Sequence, residues 1–542
     1  MDTTEMDTAP PPLQGQTSRH NVGMLQRLTD IMVVHTRYDY ADEGTVEVEA
    51  RISARTPKTP RSPVDPLPEL GPEHTTADIQ LAVDGMLNQM TPRTSNTTIP
   101  RSDAAAMRPK GWARLGSRKP FNIARSKEDI TAEWCTTVFR HQGYLTADER
   151  VTELTVKAIG AGEGEFSDLA LLTIDAVAGG DAPRLPRSLI AKFSPPTVKG
   201  LELKIVFGTE AHMYNDISCD GMQLVRPEAV YIGAEFRRFG RDRYCFLIEN
   251  CSPPPKPALM FKRLDGCDSM PHLMIAMRGL ARFHARWWGA SQKKPLDVFH
   301  HPTRGGGPLP YLPRSITLTA FALTIKAGLK ALPHCYLETA EMRGAPQFGA
   351  EFRELLATLL PCIRRRRHAV ARELVRPPLA LCHGDCHLEN VFFGEHFEGG
   401  CMFIDFGLTG FGQPLSDVAM VIGQGMAAEV RRVHERSLVS YYHKCLLEFG
   451  VPDYSAAQCW RDFQFQLFRP FFSLLTIAPS FARQRKKRVG MFAANPSEGD
   501  KKLYAMYQKI NARLAQALID HGFVQRVEEF DFTAPPCCRP CC

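Results

Sequence analysis

No apolar run in the 542 residues reaches the about 18 that a membrane-spanning helix needs. No basic-then-apolar leader opens the chain, whose first residues carry Asp2, Glu5 and Asp7. The 16 cysteines follow no framework spacing. These gaps argue against a disulfide-stapled secreted domain and lead us to expect reduced thiols in the cytoplasm. Neither charge dominates: 66 Lys and Arg against 59 Asp and Glu leave a net +7. That excess is too mild to call for nucleic acid and is compatible with a small anionic ligand.

Residues 1–125 lack periodic apolar stretches but hold 13 prolines and Ser/Thr clusters such as Arg55-Thr56-Pro57-Lys58-Thr59-Pro60. Their 15 basic and 15 acidic residues cancel, so the whole excess lies after Arg125. We read them as a largely disordered tail with a short helix near Ile79–Met90. At the other end, residues 531–542 carry Cys537, Cys538, Cys541 and Cys542. Four thiols so crowded suit a tetrahedral zinc site badly, and a flexible reduced tail is expected.

Order is expected from about Ser126, where Ile130, Trp134, Val138 and Phe139 recur at helical spacing. Five strand-like runs follow: Leu154–Ile159, Leu169–Val177, Ser188–Phe193, Ala229–Phe236 and Tyr244–Glu249. One helix, Lys204–Ser218, comes after the third. Beyond Pro253–Pro255 the patterns are long and helical, at Met270–Trp288, Phe352–Leu374 and Ser416–Phe449, and on to about His521. Only between Leu379 and Ile404 does the chain turn strand-like. This predicts an α+β protein: a five-stranded antiparallel sheet with one partner helix over 126–253, then a mostly helical 254–530. The basic runs Arg364–Arg367 and Arg483–Arg488 read as solvated faces.

The chemistry concentrates in His383-Gly384-Asp385-Cys386-His387-Leu388-Glu389-Asn390, followed by Asp405-Phe406-Gly407. Val391–Phe393 and Met402–Ile404 would pair across a Gly399-Gly400 turn. That hairpin brings Asn390 and Asp405 to one end, near Asp385. Phosphoryl transfer needs such a cluster, because an acceptor hydroxyl must meet the phosphoryl group in line while its charge is offset. Asp385, with His383 in the same catalytic set, can take or orient the hydroxyl proton. Asn390 and Asp405 offer the hard oxygens that Mg²⁺ prefers. His-x-Asp-x4-Asn followed by Asp-Phe-Gly is the protein-kinase signature, with Gly384 where those enzymes have Arg.

Upstream, Lys192 ends the apolar run Ser188–Phe193 and could reach nucleotide phosphates. Glu210, on the next helix, could hold it as an ion pair. Gly160, Gly162 and Gly164 lie between the first two strands, where glycines let backbone N–H groups approach phosphate. The intervening Glu163 and Glu165 are poor neighbours for an anion. Glu249 and Cys251 fall at the end of the fifth strand, where backbone groups would meet adenine.

His383-Gly384-Asp385-x-His387-x-x-Asn390 resembles the catalytic loop of aminoglycoside phosphotransferases and their choline-kinase-like and ecdysteroid-kinase-like relatives. Phe207–Tyr214 is similar to that family's lysine-partner helix, Gly279–Trp288 to its first large C-lobe helix, and Pro414–Ala419 to the segment after its metal aspartate. The resemblance covers about residues 127–525. It implies a protein-kinase-like two-lobed fold, with 126–253 as the nucleotide lobe and 254–530 as the catalytic and acceptor lobe. It also implies ATP and Mg²⁺ as cofactors, Asp385 as base, Asn390 and Asp405 as metal ligands, Lys192 on phosphate and Glu210 behind it. Asp417 would hold the catalytic loop through hydrogen bonds.

No Ala-Pro-Glu motif follows Asp405, and Pro414 arrives almost at once. A peptide-docking platform is therefore not expected, and the reading is a kinase acting on a small-molecule alcohol. Trp287, Trp288, Tyr441, Tyr442 and Trp460 are candidate walls for that acceptor. A protein Ser/Thr kinase and a non-catalytic nucleotide-binding protein remain the alternatives. The acceptor, the choice between ATP and GTP, and the oligomeric state stay open at this point.

Overall fold

A computed structural model describes residues 122–159, 168–194, 204–215, 217, 226–235, 243–253, 255, 257–290, 296, 299–300, 314–332 and 350–529. The helix expected at 79–90, the glycines at 160–164 and the cysteine-rich end lie outside them. No helix among the described residues is long and apolar enough to cross a membrane.

Among the described residues Ile123 and Ala124 are both buried, ahead of the α-helix α1 (Ala132–Gln142). The Thr131 side chain accepts from Trp134 N, a cap that contributes about 1 kcal/mol. Gly143, at φ 80, ends the helix in the left-handed conformation that glycine adopts without strain. Five strands follow: β1 (Arg150–Ile159), β2 (Asp168–Ala178), β3 (Ser188–Phe193), then β4 (Ala229–Glu235) and β5 (Arg243–Glu249). They form one antiparallel sheet in the order β1-β2-β3-β5-β4. The expected helix at 204–218 is in fact a π-helical turn, Lys204–Gly208, and then α2, Thr209–Asn215. Gly208, a poor helix-interior residue, sits at the change.

The sheet has two different faces. Leu189, Ala191 and Phe193 of β3 point to one side and pack with Val138 and Phe139 of α1, Tyr231 and Leu247. Because strand side chains alternate, Lys192 must point to the other side. There Phe246 and Ile248 of β5 meet Phe207 and Met213, and this face merges with the core of the helical lobe.

That lobe opens with α3 (Met270–Arg286), α4 (Arg314–Leu332) and α5 (Ala350–Leu374). Eleven of the 17 residues of α3 are buried, which makes it the axis of the lobe. Short strands β6 (Ala380–Cys382), β7 (Val391–Phe393), β8 (Cys401–Phe403) and β9 (Gly410–Gly412) carry the catalytic loop. β7 and β8 pair as expected, across glycines 399 and 400 at φ 79 and 81. β6 pairs with β9, which was not expected: Gly-Phe-Gly carries no strand signal. Six helices close the lobe: α6 (Leu415–Gly425), α7 (Ala428–Glu448), α8 (Ala456–Gln466), α9 (Phe468–Lys487), α10 (Glu498–Asp520) and α11 (Phe523–Glu529). The stretch 416–449 is helical as expected. It divides at Met426 because the Gly425 carbonyl accepts from Cys267 N at 2.7 Å and Ala427 N donates to Asp268. The result is the expected two-lobed α+β protein, and Lys192 faces the seam.

Candidate active site

At that seam Lys192 Nζ lies 2.7 Å from Glu210 Oε2 on α2 and 3.0 Å from Asp405 Oδ1. Thus β3, α2 and the end of the β7–β8 hairpin meet in three side chains separated by up to 213 residues. Lys192 and Glu210 are buried, while the side chain of Asp405 stays 42% exposed. Burial opposes a charge on Lys192, but Asp405 and Glu210 outweigh it and hold its pKa above the usual lysine value. Burial pushes Glu210 up to about 7, with Lys192 pulling against it. Burial also acts to raise Asp405, yet Lys192 more than offsets this and keeps the carboxyl below its ordinary range. Asp405 adopts φ 62 and ψ 70, a left-handed conformation that is strained for a residue other than glycine.

The loop after β6 is tied down from beneath by Asp417, in the first turn of α6. Its two oxygens accept from His383 N at 2.7 Å and Gly384 N at 3.1 Å. His284 of α3 sits behind it, with Nε2 3.1 Å from Asp417 Oδ2 and Nδ1 2.8 Å from the Tyr442 hydroxyl. Burial would raise the pKa of Asp417, but the hydrogen bonds from His284 and from the His383 N–H keep it low, so it stays an acceptor. His284, Cys382 and Asp417 are a metal-capable triad by distance. The carboxylate oxygens are already taken by two loop N–H groups and the imidazole.

Gly384 has φ 83, and a Cβ there would stand 2.3 Å from the Leu408 carbonyl. That contact explains why this loop has glycine where protein kinases have arginine. His383 points away from solvent. Its Nε2 donates to the Ile404 carbonyl at 2.9 Å, and its ring packs on Phe406 with centroids 4.8 Å apart. The structure thus gives His383 a bracing place under the loop rather than a place at the reacting atoms.

Asp385 keeps 35% of its side chain exposed. Burial of its surroundings, with the charge of Asp405, raises its pKa. Asn390 Nδ2 donates to the Asp385 carbonyl at 2.9 Å, which locks the loop end to its beginning. Ile404 N donates to the Asn390 carbonyl at 3.0 Å, which sets Asn390 beside Asp405 and so joins the Asp385–Asn390 and Lys192–Asp405 pairs.

Glu249 closes β5, and Cys251 follows two residues later. Glu249 N is already bonded to the Glu228 carbonyl, and the Cys251 carbonyl accepts from His396. The five aromatic candidates share no common wall. Tyr441 and Tyr442 are buried in the helical core. Trp288 packs on Tyr454, Trp287 lies under Arg286, and Trp460 packs on Phe463 and His521. Sequence reasoning missed the bracing role of His284 and gave its partner Tyr442 a place in an acceptor wall instead. The one signal was His284 inside the helix that carried the family resemblance.

The sequence profile of the ecdysteroid kinase-like family matches residues 161–450, just over half of the chain. No curated protein matches. Among solved structures, an ethanolamine kinase from Plasmodium vivax is 14% identical with a TM-score of 0.36, covering 77% of this chain and 97% of that one. A microcompartment-associated aminopropanol kinase is 12% identical with a TM-score of 0.35, covering 68% and 93%. An aminoglycoside phosphotransferase from Streptomyces rimosus, solved with ADP and streptomycin, is 18% identical with a TM-score of 0.30, covering 60% and 92%. At these scores the structural likenesses carry no weight for the chemistry. The profile match does settle the family: the chain belongs to the ecdysteroid kinase-like family.

Proposed function

We propose that this protein transfers the γ-phosphoryl group of ATP to a hydroxyl of a small molecule. Residues 126–253 would hold the nucleotide and 254–530 the acceptor. The observation that carries the reading is the meeting of Lys192, Glu210 and Asp405 beside a braced loop that bears Asp385 and Asn390.

Each residue has a role that its surroundings support. Lys192 remains a cation and can exchange Asp405 for phosphate oxygens. Glu210 positions it. Asp405 stays ionised, and the amide of Asn390 directs its nitrogen inward, so the pair fits a hard divalent cation. Mg²⁺ held there would offset charge on the phosphates. Asp385, partly open to solvent, accepts the hydroxyl proton or orients the hydroxyl for attack. The glycines 160, 162 and 164, outside the described residues, are proposed as phosphate contacts, and backbone groups of Glu249 and Cys251 as adenine contacts.

A small acceptor is favoured over a protein because α6 begins at Leu415, ten residues after Asp405. A turn and β9 fill that interval, and no docking platform is inserted. The acceptor would be recognised by the helical lobe.

The test is a phosphorylation screen of a metabolite extract with labelled ATP. We expect a labelled small molecule with the wild type and a loss of about 10²–10⁴-fold with Asp385→Ala. Undiminished turnover by folded Asp385→Ala would reject Asp385 as base. Labelling of peptides alone would favour the protein-kinase reading.

A further inference from the structure

The side-chain amide of Asn390 can turn either its oxygen or its nitrogen inward, and only one orientation leaves an oxygen for a cation. Its nitrogen carries two hydrogens and has two neighbours to receive them. One is the Asp385 carbonyl at 2.9 Å. The other is His387 Nε2 at 3.2 Å. An oxygen turned inward would face the Asp385 carbonyl, acceptor against acceptor.

His387 is therefore an acceptor at Nε2, which places its own proton on Nδ1. That Nδ1 is buried without a partner. An unpaired buried donor is unfavourable, so the ring is not held in place by Nδ1. The backbone holds it instead: His387 N donates to the Asp385 carbonyl and Asn390 N donates to the His387 carbonyl, both at 2.9 Å. The Asp385 carboxylate stands 3.7 Å from Nε2, too far for a hydrogen bond, and so is left free for an acceptor.

We propose that His387 is a positioning residue whose Nε2 lone pair fixes the Asn390 amide with Oδ1 turned toward the nucleotide's divalent cation. The proposal rests on reading Asn390 as a metal ligand. Partners behind metal ligands act in this way, and their loss typically weakens metal binding about 10–100-fold.

The test compares the full-length wild type with His387→Gln, His387→Asn and His387→Phe. Glutamine returns an oxygen near the place of Nε2; asparagine reaches only the place of Nδ1. Mn²⁺ serves as the probe, titrated into the ADP-bound proteins and read by electron paramagnetic resonance, with thermal midpoints taken in parallel. His387→Asn and His387→Phe should bind Mn²⁺ about tenfold more weakly, and His387→Gln within about threefold of wild type. Equal affinities for the Gln and Asn variants, or a wild-type affinity for His387→Phe, would overturn the proposal. Should His387→Phe fail to fold, the Gln–Asn pair decides alone. Absence of Mn²⁺ uptake by the wild-type ADP complex would remove the metal reading itself, and this inference with it.

Discussion

On the sheet side, Lys192 is held by charge: two carboxylates grip one ammonium, and one of them is partly in water. On the helical side, Asp385 is held by geometry. Asp417, itself 1% exposed, grips two backbone N–H groups next to Asp385, and His284 and Tyr442 stand behind it. A charge-held group can change partners when phosphate arrives. A loop held through its backbone stays in register while that happens. The proposed phosphoryl transfer would need both behaviours, since a mobile cation must meet a fixed base.

Removing one member from each side should separate the two most sharply. Asp417→Ala strands a buried and a half-buried N–H group and a buried imidazole, and we expect a loss of about 3–5 kcal/mol in denaturant unfolding. Lys192→Met should cost clearly less. Glu210, with a pKa near 7, can take a proton, and Asp405 is already partly solvated. Equal losses would erase the contrast.

A smaller effect tests whether every buried carboxyl on the helical side is as well matched as Asp417. Asp462 receives one bond, from the Tyr454 hydroxyl at 2.9 Å, and burial pushes its pKa up to about 6. The folded chain then holds a proton between roughly pH 4 and 6 that the unfolded chain has lost. That contribution is present at low pH and disappears as pH rises through about 6. Asp462→Asn keeps the neutral form. It should raise the thermal midpoint by about 2 °C near pH 7.5 and by about half as much near pH 5. A gain of the same size at both values would show that Asp462 is not the titrating group.

The two sides also differ in how far the sequence revealed them. Asp385 and Asn390 stand five residues apart, so their association is local and readable. Lys192 was readable because a lone cation in an apolar strand calls for a partner. The resemblance pointed to Asp417 as a loop brace, but the bond between His284 and Asp417 joins positions 133 residues apart, and no local pattern pairs the two. β9 was hidden because Gly-Phe-Gly forms a strand only through the neighbour it pairs with. α4 went unnoticed because Ile316, Leu318, Phe321, Leu323 and Ile325 leave no polar face to set a helical period. The break at Met426 depends on a hydrogen bond from Cys267, which no local pattern encodes.

ATP binding with and without Mg²⁺, measured calorimetrically on wild type, Lys192→Met and Asp405→Asn, bears most directly on a single nucleotide–metal site. Wild type should bind ATP more tightly with Mg²⁺. Lys192→Met should weaken ATP about tenfold or more in both conditions, and Asp405→Asn should abolish the gain from Mg²⁺. ATP affinities left unchanged by both substitutions would contradict the account.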